Sequence, residues 1–106
     1  MAAKRTRIDG ALRRAVARLR EEIDVESAVL FGSRATGVAH RDSDIDLAIF
    51  SKAVERWTVE DKVRLAGTIK GISPLIELHL FSVRALKEAR PTNFAGHILA
   101  TGVKVA

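Results

Sequence analysis

The sequence has no cysteine and no long hydrophobic run, and both absences narrow the range of functions. Without cysteine, the chain forms neither a disulfide framework nor a thiolate nucleophile. No segment approaches the roughly 18 apolar residues of a membrane-spanning helix. The basic segment at residues 1–7 lacks the apolar stretch of a secretory signal. We therefore expect a cytoplasmic protein with no membrane partner.

The composition is typical of one small globular domain spanning residues 1–106. Hydrophobic residues make up 47% of the chain and charged residues 29%, a balance that supports one modest core. The net charge is +5, which could attract phosphates or nucleic acid. Because the basic residues are spread along the chain, apart from Lys4, Arg5 and Arg7, we interpret them as solvated helix faces and do not expect a nucleic-acid partner.

The spacing of apolar residues predicts two longer helices. The first is expected to be capped by Asp9 and to end near Ile23. The second is expected from Thr58 to about Lys70, because Thr58 and Asp61 have the spacing of a capping box. The residues expected to face inward from this second helix are Val59, Val63, Ala66 and Ile69.

Short apolar segments between the helices predict strands. The alternation within residues 44–49 predicts a strand with two distinct faces, and Gly32 ends the apolar run that precedes it. The order of elements indicates an α+β or α/β sandwich built on a small central sheet. The predicted strands lie at residues 28–31, 44–49, 75–81 and 103–106, and two further helices at residues 82–90 and 92–101.

The acidic residues Asp44 and Asp46 carry the strongest chemical signal. Alternate residues of a strand point to the same side, so these carboxylates lie together and repel each other unless a cation binds. Hard oxygen ligands of this kind favour Mg²⁺ or Mn²⁺. Glu77 lies between apolar residues of another strand, and it can join the pair if the two strands are neighbours, giving enough ligands for two metal ions. His79 shares a face with Glu77 and could approach the site, but for a lone histidine we expect a hydrogen bond within the sheet.

The segment that starts at Gly32 offers groups that bind phosphate. Gly32 directly follows a predicted strand and lets a phosphate approach the backbone. Ser33 offers a hydroxyl and a backbone N–H, and Arg34 can bind phosphate through two parallel hydrogen bonds. Each piece also has a plain structural explanation: a turn, a solvated strand end, or an ion pair between Glu77 and an arginine. Their fixed order within a short span favours a site for phosphoryl or nucleotidyl transfer.

Two motifs together resemble the signature of the minimal nucleotidyltransferases of the DNA polymerase beta superfamily. They are Gly-Ser-Arg-Ala-Thr-Gly at residues 32–37 and Ser-Asp-Ile-Asp-Leu at residues 43–47, followed later by an acid in a strand, here Glu77. The resemblance extends from the first helix to Gly102. It implies a nucleotidyltransferase fold, an α+β (α/β sandwich) domain with a small mixed central β-sheet flanked by helices.

The resemblance also implies roles for individual residues. Thr36 stands where the family often has a basic residue, and Glu77 stands where it usually has aspartate. The expected substrate is ATP, with Mg²⁺ or Mn²⁺ as cofactor. The residues that would contact the triphosphate are Gly32, Ser33, Arg34 and Ser43. The residues that would bind the metal and carry the catalysis are Asp44, Asp46 and Glu77.

Competing functions follow from the resemblance. Small members of the family resemble antitoxins encoded beside a HEPN-domain toxin, which they are thought to inactivate by transferring AMP to it. A chain of 106 residues leaves no room for a separate acceptor-binding domain, so we expect a protein partner, in a homo- or hetero-oligomer, to supply the acceptor. The alternative, motivated by Thr36 and Glu77, is a catalytically weak binding module that neutralises its partner by complex formation. A third hypothesis, an RNA-directed transferase, depends on the positive charge alone.

Overall fold

Helices and strands alternate along the chain much as the hydrophobic pattern predicts. A computed structural model describes residues 2–32 and 44–105. The described elements are α1 (Ala2–Glu22), β1 (Ser27–Phe31), β2 (Ile45–Ser51), a short 3₁₀ helix (Ala53–Arg56), α2 (Val59–Ile72), β3 (Ile76–Ser82), α3 (Arg84–Lys87), α4 (Phe94–Thr101) and β4 (Val103–Lys104).

The four strands form one mixed sheet in the order β3-β2-β1-β4. Strand β1 pairs antiparallel with both β2 and β4, whereas β2 and β3 pair in parallel. A parallel pair needs a crossover connection, and the segment containing α2 supplies it. The register places Asp46 opposite Phe31 on one side and opposite Glu77 on the other. The predicted α+β class with a mixed central sheet and flanking helices is confirmed.

The two faces of the sheet are covered by different helices. One face, which we call the α1/α2 face, packs against α1 and α2 in the larger hydrophobic cluster. The opposite face, the α4 face, packs against α4 in a smaller cluster. The strand residues buried on the α1/α2 face are Ala28, Leu30, Ile45, Leu47, Ile49 and Ile76. Those buried on the α4 face are Val29, Phe31, Ala48 and Phe50.

Helix α2 starts as predicted and buries Ile69 as predicted, but the inward-facing residues of its first turns differ from the prediction. Thr58 Oγ1 accepts a hydrogen bond from the Asp61 N–H at 3.1 Å, and Asp61 Oδ2 accepts one from the Thr58 N–H at 2.9 Å. This reciprocal pair is a capping box. The prediction that Val59 and Val63 face inward is wrong, because they are 75% and 65% exposed. The buried residues of α2 are Leu65 and Ile69.

Helix α1 is longer than predicted at its N-terminal end. It begins at Ala2, so the prediction that Asp9 caps it is wrong. Alanine, lysine and arginine are good helix formers, and their abundance in residues 2–7 lets the helix continue through Asp9. Among the described residues, no helix has both the length and the apolar character needed to cross a membrane.

Candidate functional site

The site predicted from the sequence lies where β1 ends and where β2 and β3 begin. Among the predicted residues, the structure describes Gly32, Asp44, Asp46 and Glu77. The other predicted phosphate-binding residues, Ser33, Arg34 and Ser43, lie outside the described residues, as does Thr36.

Asp46 lies on the α4 face and is held by a histidine from the next strand. The Nε2 atom of His79 lies 3.2 Å from Asp46 Oδ1, and the two side chains are 34% and 29% exposed. The His79 ring also meets the Phe31 ring edge to face, with centroids 4.9 Å apart. The expected hydrogen bond of His79 is therefore confirmed. Its partner, Asp46, was not predicted, since the pairing depends on the β2–β3 register.

Gly32 brings the turn after β1 against the carboxylate of Asp46. Its φ is +78°, in the left-handed region that favours glycine. A Cβ atom added to Gly32 would collide with Asp46 Oδ2 and would lie 3.3 Å from Asp46 Cγ. The backbone at Gly32 is therefore in close contact with the side of the carboxylate that His79 does not occupy. This contact joins the predicted phosphate-binding turn to the predicted metal-binding strand.

Glu77 lies beside Asp46 in the sheet, but its carboxylate has another partner. Its Oε1 atom is 3.7 Å from Nζ of Lys70, and both side chains are nearly half exposed. Lys70 also donates a hydrogen bond to the backbone oxygen of Pro74 at 3.1 Å. The sequence suggested an arginine as the alternative partner of Glu77, whereas the structure provides this lysine from the last turn of α2. A role for Glu77 as a metal ligand stays a prediction.

The acidic residues provide oxygen ligands suited to a hard cation. Asp44 is exposed and directly precedes β2, two residues before Asp46, so the prediction that it lies within the strand is wrong by one residue. Within residues 2–32 and 44–105, no three His, Asp or Glu side chains are grouped to hold a metal ion. Mg²⁺ usually binds one or two protein carboxylates and completes its shell with water and substrate phosphates. The pair Asp44 and Asp46 fits that donor set without a third protein ligand.

A cluster of aromatic rings borders the site on the α4 face. The Phe31 ring, which meets His79, also meets the ring of Phe94 with centroids 5.8 Å apart at 83°. The Phe81 ring lies 6.0 Å from Phe94 and is stacked on Phe50 at 5.2 Å. Sequence reasoning did not single out these rings, because four phenylalanines far apart in the chain carry no local motif.

The chain matches a known protein family in sequence and several solved structures in fold. The family model described as polymerase beta nucleotidyltransferase matches residues 15–106. A presumed nucleotidyltransferase from Sulfolobus solfataricus, solved at 1.40 Å resolution, superposes with a TM-score of 0.70 at 17% identity, over 97% of this chain and 83% of the other. A toxin–antitoxin crystallised with AMP-PNP superposes with a TM-score of 0.61 at 20% identity, over 92% of this chain and 72% of the other. No protein with a curated description matches the chain in sequence.

Proposed function

Because the chain belongs to the polymerase beta nucleotidyltransferase family, we propose that it transfers a nucleoside monophosphate from a nucleoside triphosphate to a protein partner. The group that we expect it to transfer is AMP. The observation that carries the proposal is the contact between Gly32 and Asp46. Gly32 opens the predicted phosphate-binding segment, and a carboxylate beside it suits the cation that phosphates bring. Nucleotidyl transfer needs both functions at one place.

The reaction that we propose is an in-line displacement at the α-phosphorus. A hydroxyl of the acceptor forms a new bond to the α-phosphorus, the bond to the bridging oxygen breaks, and pyrophosphate leaves with that electron pair. Bound Mg²⁺ or Mn²⁺ would neutralise phosphate charge and acidify the hydroxyl. Asp44 and Asp46 would hold the cation, while Glu77 would add a ligand or accept the hydroxyl proton. The residues proposed to bind the triphosphate are Gly32, Ser33, Arg34 and Ser43.

Two contacts of the Asp46 carboxylate support its proposed role in the reaction. His79 occupies Oδ1 and Gly32 packs against Oδ2, so the carboxylate is restrained from two sides. Restraint before binding lowers the free-energy cost of positioning a charged group during the reaction. We assign His79 as a positioning residue for Asp46.

We further propose that the acceptor is a HEPN-type toxin and that the chain is its antitoxin. The sequence motifs support this identification through their resemblance to small antitoxins. The superposition on a toxin–antitoxin crystallised with AMP-PNP supports it through shared fold alone.

Transfer of radiolabel from α-labelled ATP tests the proposal directly. The protein is incubated with Mg²⁺, labelled ATP and the protein encoded by the adjacent gene, and label on that partner is measured. We expect label with wild type and a loss of at least about 100-fold with Asp46→Asn, which removes a charge from the metal site. Asp61→Asn is the matched control, because Asp61 caps α2 away from Asp46. Equal labelling by wild type and Asp46→Asn would contradict the proposed mechanism.

A binding module without transfer activity is the second candidate, and one observation favours it. The ion pair with Lys70 engages Glu77, the third acid to which the family resemblance gives a catalytic role. In this alternative the chain neutralises its partner through complex formation. Neutralisation that survives the double substitution Asp44→Asn and Asp46→Asn would support the binding module, and loss of neutralisation with an intact complex would support the enzyme.

A further inference from the structure

Phe94 exposes an aromatic ring next to the candidate site. The residue is 52% exposed and is the first residue of α4. Two later residues of this helix, Ala95 and Ile98, are buried against the sheet. Single exposed apolar residues are common on protein surfaces, so exposure alone says little. What distinguishes Phe94 is the set of rings that it contacts.

These rings connect Phe94 to the carboxylate of Asp46. Asp46 contacts His79 at 3.2 Å, the His79 ring meets Phe31 at 4.9 Å, and Phe31 meets Phe94 at 5.8 Å. Phe31 also directly precedes Gly32 in the chain. The exposed ring is therefore supported by the same residue that leads into the predicted phosphate-binding turn.

The orientation of the Phe94 ring is fixed by neighbours on two sides. Phe31 meets it edge to face at 83°, and Phe81 meets it at 61° with centroids 6.0 Å apart. Phe81 is in turn stacked on the fully buried Phe50. A ring already held in place loses little conformational freedom when a planar ligand stacks on it.

We propose that the exposed ring of Phe94 is the platform on which the base of a nucleoside triphosphate stacks while its phosphates lie at Gly32 and Asp46. The inference rests on the proposed function and adds a base-binding subsite to it. Stacking uses the π-face that every nucleobase has, so it discriminates little between bases. We therefore expect adenine and guanine nucleotides to bind with similar affinity.

Calorimetric titration separates the base from the phosphates. Each protein is titrated with ATP and, in parallel, with inorganic tripolyphosphate, both in excess Mg²⁺. Phe94→Leu keeps an apolar side chain beside Phe31 and Phe81 but removes the ring, whereas Phe94→Trp keeps an aromatic face. We expect Phe94→Leu to weaken ATP binding roughly tenfold and to leave tripolyphosphate binding unchanged. The Trp variant is expected to retain the ATP affinity, and thermal unfolding checks each fold.

The outcomes distinguish this inference from the proposed function. Unchanged ATP affinity in Phe94→Leu overturns the stacking platform and leaves the proposed transfer in place. An equal loss for ATP and tripolyphosphate also overturns it, because Phe94 would then support the phosphate site. If the Leu variant unfolds, the wild type decides, since equal affinities for ATP and tripolyphosphate exclude a base subsite. A wild-type protein that binds neither ligand overturns the proposed function together with this inference.

Discussion

The α1/α2 face and the α4 face of the sheet are made by the same strands from different kinds of side chain. On the α1/α2 face, β2 contributes Leu47 and Ile49, which are fully buried. On the α4 face, the same strand begins with the partly exposed Asp46 and becomes buried only at Ala48 and Phe50. The free-energy cost of placing a charged group in a folded protein is lowest where the group stays in contact with water. The α1/α2 face thus contributes mainly to stability, and the α4 face keeps a charged side chain accessible to water at the start of β2.

Adjacent residues on β2 give the largest expected contrast between the faces. Leu47→Ala leaves a cavity in the larger cluster, and we expect it to lower the free energy of unfolding by about 3 kcal/mol. Asp46→Asn keeps the shape of the side chain at a partly exposed position, and we expect a change within about 0.5 kcal/mol. Urea denaturation of both variants measures the contrast. If both variants lose a similar free energy of unfolding, the start of the α4 face contributes as much to stability as the α1/α2 face.

Gly32→Ala is expected to disturb the α4 face at an intermediate cost. A side chain at a φ of +78° is strained and would collide with Asp46, so we expect a loss of about 1–2 kcal/mol. ATP binding should weaken as well, because the carboxylate must move. Gly67→Ala in α2 is the matched control, since no atom lies within 4 Å of the added Cβ, and it should leave stability unchanged or raised. If Gly32→Ala has normal stability and normal ATP binding, the close contact between Gly32 and the carboxylate of Asp46 does not matter for either property.

The capping box of α2 offers the smallest effect, on the helix that covers the α1/α2 face. Thr58→Ala removes one of its hydrogen bonds, and we expect a loss of about 1 kcal/mol at neutral pH. Hydrogen bonds from Thr58, first from its backbone and then from its side chain, lower the pKa of Asp61 below its ordinary value of 3.8. This stabilisation is therefore complete above pH 3.8 and is lost as the pH falls through the lower pKa of the folded state.

Thermal unfolding between pH 2 and pH 7 checks the sign of this effect. Asp61→Asn should be less stable than wild type at neutral pH, and the difference should shrink in acid as wild type loses its own cap. A difference that grows in acid would contradict the assigned direction of the pKa shift. ATP binding at neutral pH should be the same in Thr58→Ala and wild type, because the cap lies on the other side of the sheet.

Local signals in the sequence were enough to predict the class of fold, the strands and the capping box of α2. They failed where a distant contact decides between equivalent options. An apolar stripe through Ile69 can include either Val59 and Val63 or Leu65, and only packing against α1 and β3 selects Leu65. The start of α1 was missed because Asp9 reads as a cap although the residues before it also favour a helix.

The candidate site shows the same division between local and distant information. The motif at residues 43–47 predicts Asp44 and Asp46 as site residues, and the glycine after β1 predicts a turn, where the structure places Gly32 against Asp46. The partners of the acidic residues could not be predicted, because His79 and Lys70 reach them only through the register of β2 and β3 and the end of α2. The ring contacts of Phe94 likewise join residues that no short motif connects.

The central place of β2 in the sheet has a consequence for the time at which the site is completed. Asp46 takes Gly32 from the antiparallel side and His79, 33 residues later in sequence, from the parallel side. Contacts between residues far apart in sequence form slowly, because the entropy of closing the intervening loop is lost before the contact contributes any favourable free energy. A newly synthesised chain therefore restrains this carboxylate from both sides only after β3 has been synthesised and has paired with β2.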